Sequence, residues 1–208
     1  MRASKKLAIL PVCLLGLLIL LAGCAPGATA PGSDPATLAH IADATEIVQF
    51  NPASIPLGNS QPVGGECRAS TVVIGTLRCE LATGEASEPC FATGGGSVLC
   101  DPNPVTGSYA HLINPTSALP SMSTPPFDRA VQFFVELDGG MTCALRTGPE
   151  PVIINGATAL YDCDQPYTFL MDIDRSAPTW TATLDTLNPS SGETSTVAPA
   201  AIKRVWIP

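Results

Sequence analysis

The residues whose type and spacing carry chemistry most plainly are Cys67, Cys79, Cys90, Cys100, Cys143 and Cys163. Two further cysteines, Cys13 and Cys24, lie near the N-terminus. Thiols in even number pair as disulfides or gather around a metal ion. Metal sites of the common kind use Cys-x-x-Cys pairs or cysteines with histidines close by. This chain has no Cys-x-x-Cys, and its two histidines, His40 and His111, are not near-neighbours of any cysteine. Three disulfides are therefore expected, with no metal and no cofactor.

The pairing is only partly legible. Cys79-Glu80-Leu81-Ala82-Thr83-Gly84 is echoed by Cys143-Ala144-Leu145-Arg146-Thr147-Gly148. Each is followed, at nearly the same spacing, by a β-prone run ending in Cys-Asp: Cys100-Asp101 and Cys163-Asp164. If the echo is an internal repeat, it pairs Cys143 with Cys163 and Cys79 with Cys100, leaving Cys67 for Cys90. Sequential pairing instead joins Cys67 to Cys79 and Cys90 to Cys100. Only Cys143–Cys163 is common to both. A loop of that size closed by a disulfide contributes about 3 kcal/mol in the chain-entropy view.

Other chemistry is sparse. Nucleophilic catalysis needs a nucleophile, a base and an orienting group. His40 falls in a segment that reads as a solvated tether, and His111 reads as structural or surface. There is no Gly-x-Ser-x-Gly and no His-Glu-x-x-His, and Gly94-Gly95-Gly96 lacks the Lys of a phosphate loop. The remaining candidate is acidic: Asp162, Asp164, Asp172, Asp174 and Asp185 surround the last cysteine. Paired carboxylates bind Ca²⁺ or act as acid and base. Yet Asp172-x-Asp174 is no complete Ca²⁺ loop, and alternating aspartates also mark the wet face of a strand. Trp180 and Trp206 read as packing residues, with an exposed ligand platform as the alternative. No catalytic residue is assigned, and the chain is not expected to be an enzyme.

The elements that would position these residues are short strands. Only 13% of residues are charged, against 18 Gly and 21 Pro, which favours turn-rich β structure over charged amphipathic helices. Ile47 to Phe50, Thr71 to Thr76, Ser97 to Cys100, Ser108 to Ile113, Ala130 to Leu137, Met141 to Leu145, Tyr167 to Met171, Trp180 to Leu184 and Val205 to Ile207 read as strands. Ala130 to Leu137 is the strongest of them. Asp138-Gly139 and Asn155-Gly156 each lie between β-prone runs and signal hairpins. Residues 114–128, with Asn114-Pro115, Pro120 and Pro125-Pro126, read as a long loop between two halves. No 3.6-residue apolar period stands out. The expected fold is all-β, a small disulfide-braced sandwich or barrel over residues 45–208.

The N-terminus has a separate organisation. Arg2, Lys5 and Lys6 precede an apolar run from Leu7 to Leu21. That run is shorter than the about 20 residues a spanning helix needs, so it reads as an export signal. It ends in Leu21-Ala22-Gly23-Cys24, which resembles the lipobox of bacterial lipoproteins. The resemblance implies cleavage before Cys24, loss of residues 1–23 with Cys13, and lipid on the Cys24 thiol. Two or more acyl chains hold a protein durably on a membrane, where one does not. Residues 24–44 are Ala, Pro, Gly, Thr and Ser with few large side chains, which reads as a flexible tether. The net charge is −8 even with the three basic residues of the signal counted, so nucleic acid is not expected as a partner.

The body also resembles a group of exported bacterial proteins and lipoproteins without an assigned activity. The resemblance rests on Gly65-Glu66-Cys67-x-x-Ser70, Arg78-Cys79, Glu88-Pro89-Cys90-Phe91, Val98-Leu99-Cys100, Asp138-Gly139-x-x-x-Cys143, Tyr161-x-Cys163 and Pro178-x-Trp180-Thr181-Ala182. Leu77 stands where that group commonly has an aromatic residue. The expectation is a lipid-anchored extracytoplasmic protein, on the cell membrane or outer envelope, that binds or structures an unidentified protein or envelope ligand. An inhibitor or sensor acting through residues 114–128 is the second class, and a carboxylate-dependent hydrolase the third.

Overall fold

The computed structural model describes residues 44–148 and 150–208. The segment expected to be an export signal, Cys24, all but the last residue of the expected tether, and His40 lie outside the described residues. Within them the chain builds two small barrels in succession, and the fold is all-β as expected.

Strand β1 (Glu46–Gln49) opens the described chain. A single 3-10 turn, Pro52–Ser54, follows, with the Asn51 side chain accepting from Ala53 N–H. Five strands then form the first barrel: β2 (Val63–Ala69), β3 (Leu77–Leu81), β4 (Ala86–Ala92), β5 (Val98–Cys100) and β6 (His111–Pro115). They run as an antiparallel meander, and β2 pairs with β6 in parallel to close it. The parity of the count dictates that pairing. In a meander of five, the first and fifth strands point the same way. The closure also demands Gly65, where a Cβ would lie 3.0 Å from both Glu80 O and Ile113 Cγ2. The interior follows period-2 alternation, with Cys67, Leu77, Cys79, Leu81, Cys90, Val98, Cys100 and Ile113 inward.

After the loop and a 3-10 turn at Phe127–Arg129, the second barrel takes β7 (Phe134–Leu137) and β8 (Thr142–Leu145). A small hairpin of β9 (Ile153–Ile154) and β10 (Ala157–Thr158) intervenes. Its turn residues Asn155 and Gly156 both have positive φ, as an Asn-Gly hairpin requires. Then come β11 (Tyr161–Cys163), β12 (Thr168–Asp174), β13 (Thr181–Leu187) and β14 (Thr194–Ile207). The order β14-β13-β12-β11-β8-β7 closes through an antiparallel β14–β7 pair, the pairing that an even count allows. β1 lies parallel to the end of β14. Glu136, buried on β7, accepts from Lys203 Nζ at 2.7 Å and Arg204 Nη1 at 3.4 Å, and Arg204 also pairs with Glu46 of β1.

The barrels meet on aromatic rings. Phe50 meets Phe91 and Phe133 edge-on and Phe91 is tilted against Phe133, with centroids 4.6 to 5.3 Å apart, and Phe134 sits edge-on to Trp206 at 5.6 Å. Phe91 and Leu99 come from the first barrel, Phe134 and Trp206 from the second. Trp206 is therefore a packing residue.

The bridges are sequential: Cys67–Cys79, Cys90–Cys100 and Cys143–Cys163. Cys143–Cys163 follows expectation, whereas the echo's Cys79–Cys100 and Cys67–Cys90 do not form. Each bridge joins residues directly opposite on paired antiparallel strands. β3 and β5 are separated by β4, so the echo would pair residues that are not opposed. Thr71 to Thr76 is also not a strand. Ser70 Oγ accepts from the N–H groups of Val72 and Val73 and curls the segment into a turn. Of Ala130 to Leu137 only Phe134–Leu137 forms the strand, flanked by Phe133, whose N–H donates to Trp206 O at 3.0 Å and whose carbonyl accepts from Leu145 N–H at 2.9 Å.

Candidate functional site

Two polar clusters flank β4, built from neighbouring residues that alternation sends to opposite sides. Ser87 and Glu88 are both buried, at 4% exposure. The Ser87 hydroxyl donates to Asp101 Oδ2. Asp101 follows β5 in the left-handed region, and its N–H donates to Pro89 O at 2.9 Å. Its residue surface is largely open, but the carboxyl is tucked against β4. This desolvation raises its pKa above the usual 3.8, opposed by the Ser87 hydrogen bond and by His111, and reinforced by Glu85 and Glu88. His111 Nε2 lies 3.7 Å from Glu85 Oε1.

Glu85, Ser87, Asp101 and His111 thus form a polar rim on the first barrel. Its hydrogen-bond order differs from that of a Ser-His-Asp triad. The hydroxyl donates to the carboxylate rather than to the imidazole, and among the described residues no hydrogen bond joins Ser87 to His111. On the other side of β4, Glu88 accepts from the Ser70 hydroxyl and, at 3.0 Å, from Arg78 Nη1. Thr147 of the second half donates to Glu88 O at 2.8 Å. This cluster braces the Ser70 turn and joins the two halves.

The structure disperses the aspartates that surround the last cysteine. Asp162 pairs with Arg146, whose guanidinium lies 5.9 Å from the centroid of the Phe169 ring. Asp164 Oδ2 accepts from Thr142 N and Oγ1 at 3.3 and 3.1 Å. Asp174 accepts from Ser176 N–H at 2.9 Å, which holds its pKa low. Asp185 is buried with Oδ1 unpartnered. Among the described residues, no three carboxylates come within ligating reach of one another. A shallow groove of about 760 Å³ runs past Asp138, Met141, Asp164, Gln165, Leu184 and Ala200. Trp180 is half-buried under the Arg175 guanidinium, 5.0 Å from its ring, and is no open platform. The long loop exposes Met122 and Phe127.

The group that does converge is sulfur. The Sγ atoms of Cys79, Cys90 and Cys100 lie within 4.8 Å of one another, all fully buried. Sequence spacing hid both this cluster and the Ser87–Asp101–His111 rim, because each is assembled across strands. The Cys100-Asp101 and Cys163-Asp164 echo was the one signal pointing at Asp101.

No family model, no curated protein and no solved structure matches the chain.

Proposed function

We propose that this chain is a lipid-anchored extracytoplasmic protein whose double-barrel body binds or structures a component of the envelope. The observation that carries the reading is Leu21-Ala22-Gly23-Cys24 behind a basic start and a short apolar run. Three bridges in the body support it, since disulfides persist in oxidising compartments. The acidic balance leaves membrane contact to the lipid and argues against a nucleic-acid partner. The rigid double barrel gives a scaffold, and the polar rim around Asp101 and the groove beside Asp164 are its candidate contact surfaces.

The test is the thiol. In a bacterial host, Cys24→Ala should move the protein from the membrane fraction to the soluble fraction and abolish incorporation of labelled fatty acid. Unchanged membrane recovery with no lipid on the native N-terminal peptide would overturn the reading.

A further inference from the structure

β14 outruns its neighbour on one side. β13 pairs with it from Thr194 to Ala201, and β1 continues along the same side from Arg204 to Ile207. On the other side, β7 reaches no further back than Ile202. Residues 195–200 therefore keep a bare sheet edge among the described residues. Two bonds fix which groups it offers. Ile202 N–H donates to Trp180 O beside β13 at 2.8 Å, and Ala201 O accepts from Asp138 N–H beside β7 at 2.9 Å. Successive residues of a strand turn their backbone groups to opposite sides, so Ala200, Ala198 and Thr196 face β13 while Pro199 and Val197 face outward. Pro199 has no N–H, and its nitrogen lies on the side where no ladder partner needs one. The edge thus presents the Pro199 carbonyl and both backbone groups of Val197, a residue 57% exposed.

The groove of about 760 Å³ lies at this edge, where the chain turns back after β7. Leu184, Ala200 and Met141 give it apolar walls, and Asp138 and Asp164 are exposed on its rim. Neither Lys nor Arg is among its lining residues. Asp164 uses Oδ2 to accept from Thr142, and among the described residues neither aspartate is in an ion pair. We propose that the Val197–Pro199 edge of β14 takes up an extended peptide segment of a partner protein as an added strand, with a lysine or arginine of that segment reaching Asp138 and Asp164. The inference rests on the reading of the body as a module that binds an envelope component, and it names the chemistry of that component.

In strand addition, main-chain bonds supply affinity and alternate side chains supply specificity. The added strand prolongs the line of β7, whose exit residue Asp138 already holds Ala201 O. Its alternate side chains then fall over the groove. A second copy of the chain fits the edge less well. Edge-to-edge pairing would oppose two sets of the same carboxylates on chains of net charge −8. Pro199 and the irregular register between Thr186 and Leu187 keep the available pairing short, which limits such association.

The experiment titrates the full chain, in detergent, with a blocked five-residue peptide of valines and threonines around a central lysine, followed by backbone amide NMR. Saturable shifts should centre on Val197, and its N–H should exchange more slowly with solvent. The same peptide N-methylated at every residue should not bind. A glutamate in place of the lysine should weaken binding about tenfold at low salt, and Asp138→Asn with Asp164→Asn should erase that preference. Val197→Pro removes one donor on the side where Pro199 is already accommodated, and should weaken binding at least about fivefold. Where Val197→Pro does not fold, the N-methylated peptide on the native chain decides. No saturable shift, shifts centred elsewhere, binding of the N-methylated peptide, or equal affinity for lysine and glutamate peptides would each overturn the proposal. So would a concentration-dependent dimer that protects Val197 N–H without peptide, which assigns the edge to a second copy. A body that ignores the peptide while Cys24 carries lipid sinks the edge and not the anchor, and a missing lipid leaves the titration valid.

Discussion

The two barrels solve the same closure problem with different means. The first has five strands and closes in parallel; the second has six and closes antiparallel. The first fills half of its inward positions with cysteine and carries two bridges. The second carries one bridge and packs Val135, Leu137, Tyr161, Leu170, Ala182, Ile202 and Val205. Buried apolar area scales with side-chain size, so the cysteine-lined barrel gains less from burial and relies more on covalent constraint. Its parallel closing pair rests on three residue pairs and on a glycine that no other residue can replace without a shift.

That contrast can be broken where it is strongest. Replacing Cys67, Cys79, Cys90 and Cys100 together by serine should cost about 5 kcal/mol and strip β2 to β6 of protection from hydrogen exchange. Cys143→Ser with Cys163→Ser should cost about 3 kcal/mol, with β12 to β14 still protected. Equal losses of protection in both barrels would erase the distinction between them.

An effect of similar size to the loss of the Cys143–Cys163 bridge tests their coupling. Phe133 is 1% exposed and touches both Phe50 and Phe91. Phe133→Ala should cost about 3–4 kcal/mol and split one calorimetric transition into two. A single shifted transition would mean that the barrels cooperate by another route.

The smallest effect belongs to Asp101. Its folded pKa is raised, so the folded state holds the proton more tightly than the unfolded chain. The resulting penalty is absent below pH 3.8, grows as pH rises through the folded pKa and is fully present above it. Asp101→Asn keeps an acceptor for Ser87 and tolerates positive φ. It should raise Tm modestly at pH 7 and leave Tm unchanged near pH 3. A pH-independent difference would assign the effect to packing.

What was legible in the sequence is what depends on neighbours along the chain. β1, β5 and β8 stand out by β-prone runs, and the β9–β10 hairpin by Asn155-Gly156. What failed depends on neighbours across it. β2 contains Gly64-Gly65 and β4 contains Pro89, both marks of a loop, because barrel closure and a bulged register override local preference. Thr71 to Thr76 has strand composition, but Ser70 diverts its amides. Residues 194–203 of β14 are rich in Thr, Ser, Ala and Pro, so only the end of that strand was visible. The cysteine partners and the Ser87–Asp101–His111 rim share that origin, being matters of register rather than spacing.

One feature bears on how the body withstands tension. Thr45 is bolted at the entrance to β1: its N–H donates to Pro178 O at 3.0 Å, its hydroxyl to Ile202 O at 2.6 Å, and Trp180 N–H donates to that hydroxyl at 2.8 Å. Beyond it β1 and β14 run parallel, with the chain's two directions of exit at opposite ends of the pair. A pull between the N-terminal side and the C-terminus therefore slides the two strands lengthwise and loads their hydrogen bonds all at once. Peeling them one at a time would need far less force, so this body resists tension applied between its two ends better than tension applied across the pair.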